Sequence, residues 1–206
     1  MSQYVDDTDF DSNLRLGDII DGFSHIMATF DDFFSSKNEF KLDIKDQSFY
    51  AVLTPCCSIE DKLITVVPLK QIKASLISNP FYKEDFTRIN RPMPPDKSVP
   101  PEIWEKFPEE KKSKEIEKGE GYSLFELFFY SPANKLPEYA IKYKAGEPVD
   151  TRTYMIDFKE AFTITSKKIK RGNTYPKVLQ LTIPSRGELR NKLAYFYSRI
   201  PDEDKV

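Results

Sequence analysis

The chain reads as a β-rich α+β protein: a strongly bent antiparallel sheet, a helical and Pro-rich insertion, and a closing C-terminal helix. Three observations carry that reading. Apolar runs of strand length recur between turn signals on both sides of residues 71–121. The insertion gathers Pro80, Pro92, Pro94, Pro95, Pro100, Pro101 and Pro108 and then a Lys/Glu tract, Glu109–Lys118. An apolar stripe at helical spacing, Leu189, Leu193, Phe196 and Ile200, ends the chain.

The expected organisation is an acidic mobile leader, 1–13, followed by one domain, 14–206. Its core strands lie in 14–70 and 122–184, its insertion in 71–121 and its helix in 185–200. In the leader, Asp6, Asp7, Asp9 and Asp11 stand among few apolar residues. Gly17-Asp18 marks a bend before the apolar pair Ile19-Ile20. Phe23, Ile26, Phe30, Phe33 and Phe34 fit one helical face or two short strands, and periodicity does not choose between them.

From Phe40 the alternation of Phe40, Leu42 and Ile44 with Lys41, Asp43 and Lys45 predicts a half-buried strand. Phe49–Thr54 and Leu63–Val67 complete a three-strand meander. Their continuous apolarity predicts burial on both faces, hence central positions. Pro68 lacks a ladder donor and should end its strand. Within the insertion, Ile72, Leu76 and Ile77 suggest a short helix, and Trp104 sits on a helical turn begun by Pro100-Pro101.

Strands resume at Tyr122–Phe129, bounded by Pro132 and Pro137. Tyr154–Phe158 and Ala161–Thr165 follow, close enough in sequence to lie side by side, and Lys177–Ile183 is the last strand. Ser185 with Glu188 has capping-box spacing at the start of the final helix, which Pro201 ends.

The composition is that of a globular chain, 39% hydrophobic and 31% charged, with aromatics at 14% supplying much of the core. A net charge of −2 with intermixed signs gives no global field to draw in nucleic acid. No apolar run approaches the roughly 18 residues that span a membrane, and Met1–Asp7 has neither the basic start nor the apolar core of a signal peptide. Adjacent Cys56 and Cys57 make no disulfide framework. The expectation is a cytoplasmic, reduced protein without a membrane partner.

Candidate chemistry is sparse. Cys56 and Cys57 follow a strand and a rigid Pro55, a good place for a nucleophile, yet the sole histidine, His25, has no sequence-defined distance from them. With those three residues the chain falls short of the four Cys/His ligands of a closed zinc site, so no metal and no cofactor are expected. No glycine-rich phosphate cradle is present. The concentrated basic segment, with Lys167, Lys168, Lys170, Arg171 and Tyr175, has the charges and stacking ring to follow a phosphate backbone. Such loops between strands are also basic simply for solubility.

The order Gly17-Asp18-Ile19-Ile20, Ala51-Val52-Leu53-Thr54-Pro55 and Ile64-Thr65-Val66-Val67-Pro68-Leu69 resembles the PemK/MazF toxin family across residues 14–70. That resemblance implies an SH3-like β-barrel. In the family, a Ser/Thr ending the second of these strands cuts RNA together with an arginine in the preceding loop. Thr54 stands at the Ser/Thr position, but Arg15 is the sole arginine before Arg88 and the loop arginine has no counterpart. Lys37, Lys41 and Lys45 supply charge without the planar fork that suits a phosphate.

The favoured expectation is a non-catalytic protein-interaction module of a bacterial accessory or defence system, with Trp104 at the partner surface. The alternative is a MazF-like RNA-binding protein or endoribonuclease using Thr54 and the segment 167–175. A second alternative is a cysteine-dependent enzyme built on Cys56, Cys57 and His25.

Overall fold

The computed structural model describes residues 2–11, 13–21, 25–30, 40–45, 49–55, 58–59, 63–72, 76, 89–90, 97–99, 101–104, 106–118, 121–122, 126–142, 148–165 and 177–198. Along the chain, β1 (Ile19–Asp21), β2 (His25–Phe30), β3 (Phe40–Lys45), β4 (Phe49–Val52) and β5 (Leu63–Pro68) come first. Then follow β6 (Lys70–Gln71), β7 (Ser98–Val99), a helical turn at Pro101–Trp104, α1 (Glu109–Glu117) and β8 (Gly121–Tyr122). Next come β9 (Leu127–Tyr130), β10 (Tyr139–Lys142), β11 (Pro148–Thr151) and β12 (Tyr154–Asp157). A 3-10 turn at Phe158–Glu160 leads to β13 (Phe162–Thr165), β14 (Lys177–Leu179) and helix α2 (Ile183–Tyr197). The protein is α+β, with two antiparallel sheets of five and three strands.

The backbone divides into two compact units, one of Asp6–Leu69 with Ala161–Gln180, the other of Met1–Val5, Lys70–Glu160 and Leu181–Val206. The first holds the five-stranded sheet in the order β13-β5-β4-β1-β14, every neighbour antiparallel. Strands β4 and β5 both lie inside the sheet, but the expected burial on both faces holds for β4 and is corrected for β5, whose Leu63 is exposed. On one face Leu14, Ile20, Tyr50, Val52, Ile59, Ile64, Val66 and Ile164 form the core. Phe162 packs against it and meets Tyr50 edge-on at 5.8 Å. The intervening residues Ile19, Ala51, Leu53 and Val67 are buried as well. Pro68 is the last residue of β5, which agrees with its missing donor.

The expected meander is corrected at its first member. Strand β3 pairs with β2 in a separate two-stranded sheet, from Phe30↔Phe40 to His25↔Lys45, while β4 takes β1 and β5 as neighbours. The ambiguous aromatic run is therefore strand over His25–Phe30, and residues 31–39 lie outside the described set.

The second unit is built on the sheet β6-β12-β9. All four residues of β9 are buried, and Phe128 meets Tyr130 edge-on at 5.3 Å. Strands β12 and β13, expected side by side, fall in different sheets, because the Phe158–Glu160 turn separates them and Phe158 is itself buried. The β10–β11 pair, Tyr139↔Thr151 to Lys142↔Pro148, has no counterpart in the sequence reading. Its Tyr139 hydroxyl donates to the Thr153 carbonyl and accepts from Ile72 N–H, tying the pair to residue 72.

Helix α2 starts at Ile183, two residues before the expected capping box. Thr182 is its N-cap, and the Thr182 hydroxyl bonds Ser185 Oγ at 3.1 Å. The first residues are not free either. Tyr4 bridges Leu181, its hydroxyl donates to the Ser131 carbonyl at 2.6 Å, and burial pushes that phenol far above its ordinary pKa.

Candidate functional site

Thr54, the residue that the toxin resemblance singles out, sits where β4 runs out. Leu53 N–H donates to the Thr65 carbonyl at 2.9 Å, and Thr65 N–H donates to Thr54 Oγ1 at 2.7 Å. The threonine oxygen thus stands in for the next backbone carbonyl of the ladder. Thr54 is buried, so its hydroxyl serves first as a ladder acceptor. Beyond it, Ser58 N–H closes a turn onto the Pro55 carbonyl at 2.9 Å.

The Gly17-Asp18 bend organises the polar centre of the five-stranded unit. Gly17 has φ 84°, a conformation that suits a residue without Cβ. That conformation lets its N–H reach the Val52 carbonyl at 2.7 Å. Asp18 Oδ2 accepts from Arg15 N–H at 2.9 Å and lies 3.1 Å from Lys177 Nζ. The same ammonium donates to the Asn13 carbonyl at 2.8 Å and to Gln180 Oε1 at 2.9 Å. Three acceptors match its three donors. Lys177 and Asp18 are 6% and 0% exposed, so the pair is a clip between β14 and β1 rather than a phosphate-binding charge.

Lys192 is the other buried cation. On α2 the inward residues are Ser185, Leu189 and Lys192. Lys192 Nζ donates to the Ile89 carbonyl. Burial lowers its pKa to about 7, against the opposing pull of Glu126 and Glu188.

Asn90, next to that carbonyl, is fully buried and behaves as a strand in miniature. Its Nδ2 donates to the Phe129 carbonyl at 2.7 Å, and Phe129 N–H donates to its Oδ1 at 2.7 Å. Gln3 repeats the device one step along, with Nε2 donating to the Phe129 carbonyl at 2.9 Å and Ser131 N–H donating to Oε1 at 2.6 Å. Two side-chain amides therefore close the outer edge of β9.

The edge of β13 is arranged differently. Because Thr65 directs its N–H and C=O toward β4, alternation turns Ile64 and Val66 toward β13, where they face Ile164 and Phe162. The backbone groups of Thr163 and Thr165 consequently point to the outer side. Both threonines are exposed, and Leu63, opposite Thr165, is 60% exposed on the same face. Among the described strands β13 ends the sheet, and it contains neither charge nor proline.

Of the other expected residues, Trp104 is 4% exposed and packs on Phe107 at 5.9 Å, so its ring is largely interior. His25 opens β2 opposite Lys45. Cys56, Cys57, Lys167, Lys168, Lys170, Arg171 and Tyr175 lie outside the described residues. Among the described residues no group of three or more His, Cys, Asp or Glu is placed to hold a metal, and no helix is long and apolar enough to cross a membrane. Compared with protein families, curated proteins and solved structures, the chain matches none.

Sequence reasoning missed Lys177, Lys192 and Asn90. Each has a partner more than thirty residues away, and the type of a single lysine or asparagine carries no local sign of burial.

Proposed function

We propose that this protein is a non-catalytic interaction module that binds a partner by accepting its strand along β13. The observation that carries the reading is the contrast between two sheet edges. The edge of β9 is closed by Asn90 and Gln3, whereas β13 turns the backbone groups of Thr163 and Thr165 outward beside the exposed Leu63. An extended peptide would draw affinity from main-chain hydrogen bonds there and specificity from side chains set beside Thr163 and Thr165. The finer architecture, an SH3-like barrel, belongs to this proposal. It is supported by five strands, each antiparallel to its neighbours, and by the burial of the central strand β4 on both faces. The setting in a bacterial accessory or defence system rests on the toxin-family resemblance alone.

Thr163→Pro tests the reading. At an outward-facing edge position proline removes no ladder bond to β5, yet it blocks a strand added outside. A photo-crosslinking residue at Thr165 should trap one discrete protein in the host cell, and Thr163→Pro should abolish that adduct while leaving the circular dichroism spectrum unchanged. An adduct that persists in the folded variant, or none in the parent, refutes pairing at this edge.

A further inference from the structure

We propose that Lys192 is a proton-coupled latch: it holds Ile89 and Asn90 against the edge of β9, and releasing them takes up one proton. Lys192 is 2% exposed on the inward face of α2, and among the described residues the Ile89 carbonyl is its hydrogen-bond acceptor. The residue after that carbonyl is Asn90, whose amide holds both the N–H and the C=O of Phe129. A change in the charge of Lys192 is thereby coupled, through one peptide unit, to whether the β9 edge is closed.

The charged groups acting on Lys192 are Glu126, just before β9, and Glu188, one turn earlier on α2. Both favour the ammonium, although Lys159, 3.6 Å from Glu126, competes for that carboxylate. Burial outweighs them and brings the pKa of Lys192 from 10.5 to about 7 in the closed form. A latch opened to water regains the ordinary value. Between those two values the open form holds one more proton than the closed form, so opening becomes easier as the pH falls. The dependence levels off below the closed-form pKa. From pH 9 to pH 7 the opening equilibrium should rise about fiftyfold. Opening takes Asn90 Oδ1 away from the Phe129 N–H, while Gln3 Nε2 keeps its hold on the Phe129 C=O, so the edge of β9 loosens at that one N–H.

Amide hydrogen exchange on the full chain, corrected for intrinsic rates, reads this directly. Phe129 protection should fall about fiftyfold between pH 9 and pH 7, while Ser131, held by Gln3, should not follow. Lys192→Met should make Phe129 protection independent of pH across that range. Glu126→Gln removes a charge that favours the ammonium and should carry the rise in opening to lower pH before it levels off. Because Glu126→Gln keeps the buried lysine, it decides the matter if Lys192→Met does not fold. Flat Phe129 protection in the parent, or an unchanged slope in Lys192→Met, overturns the latch.

Discussion

Replacing Lys177 with methionine is the sharpest test of the polar centre of the five-stranded unit. The substitution keeps an unbranched chain of similar length but removes the ammonium that lies 3.1 Å from Asp18 Oδ2. Asp18 is 0% exposed, so its carboxylate stays in the interior without that ammonium, while Asn13 and Gln180 each lose a donor. Breaking a buried pair from one side costs about 3–5 kcal/mol, because the surviving charge is uncompensated. With a urea slope near 2 kcal/mol/M, about 4 kcal/mol lowers the midpoint by roughly 2 M.

The double variant Asp18→Asn/Lys177→Met has no orphaned charge and keeps an oxygen for Arg15 N–H. It should therefore be more stable than Lys177→Met alone, with a coupling of at least about 1 kcal/mol. Urea unfolding followed by far-UV circular dichroism measures all three proteins. A single variant that loses less than about 1 kcal/mol, or that is no worse than the double, would mean the pair is hydrated and the clip between β14 and β1 is not electrostatic.

Two further predictions concern the residues singled out by sequence. Thr54→Val removes the acceptor of Thr65 N–H and should cost about 1–3 kcal/mol, whereas Thr54→Ser keeps it and should cost far less. Equal losses for both, measured by urea midpoint, would show that the hydroxyl is not part of the ladder. Trp104→Ala should cost about 3–5 kcal/mol of stability in thermal unfolding and leave the Thr165 crosslink intact. A folded, fully stable variant that loses the crosslink would return Trp104 to a partner surface.

The strand run Phe49–Val52 was legible because its code is local. Four apolar residues between turn signals leave no polar side for solvent, so burial on both faces and a central place in the sheet follow. Pro68 was legible for a similar reason, since a residue without an N–H ends a ladder wherever it sits. Helix α2 was visible from Leu189 and Phe196, but its deepest polar residue was not. Lys192 adjoins Leu193 on the helix, and a lysine there reads as a solvated side chain until Ile89 is placed beside it.

The same limit explains the site. Thr54 and Gly17-Asp18 stood out in the sequence, and both lie at structurally demanding points. The meaning of Asp18 nevertheless depends on Lys177, from the far end of the chain, and the closed edge of β9 depends on Gln3 and Asn90. Side-chain alternation and missing donors are properties of neighbouring residues, so strand and helix type emerge from the chain read alone. Every strand offers the same backbone N–H and C=O groups, so the choice of neighbours is settled by long-range burial. Only folding could therefore part β12 from β13, close one edge with amides and leave the other facing outward.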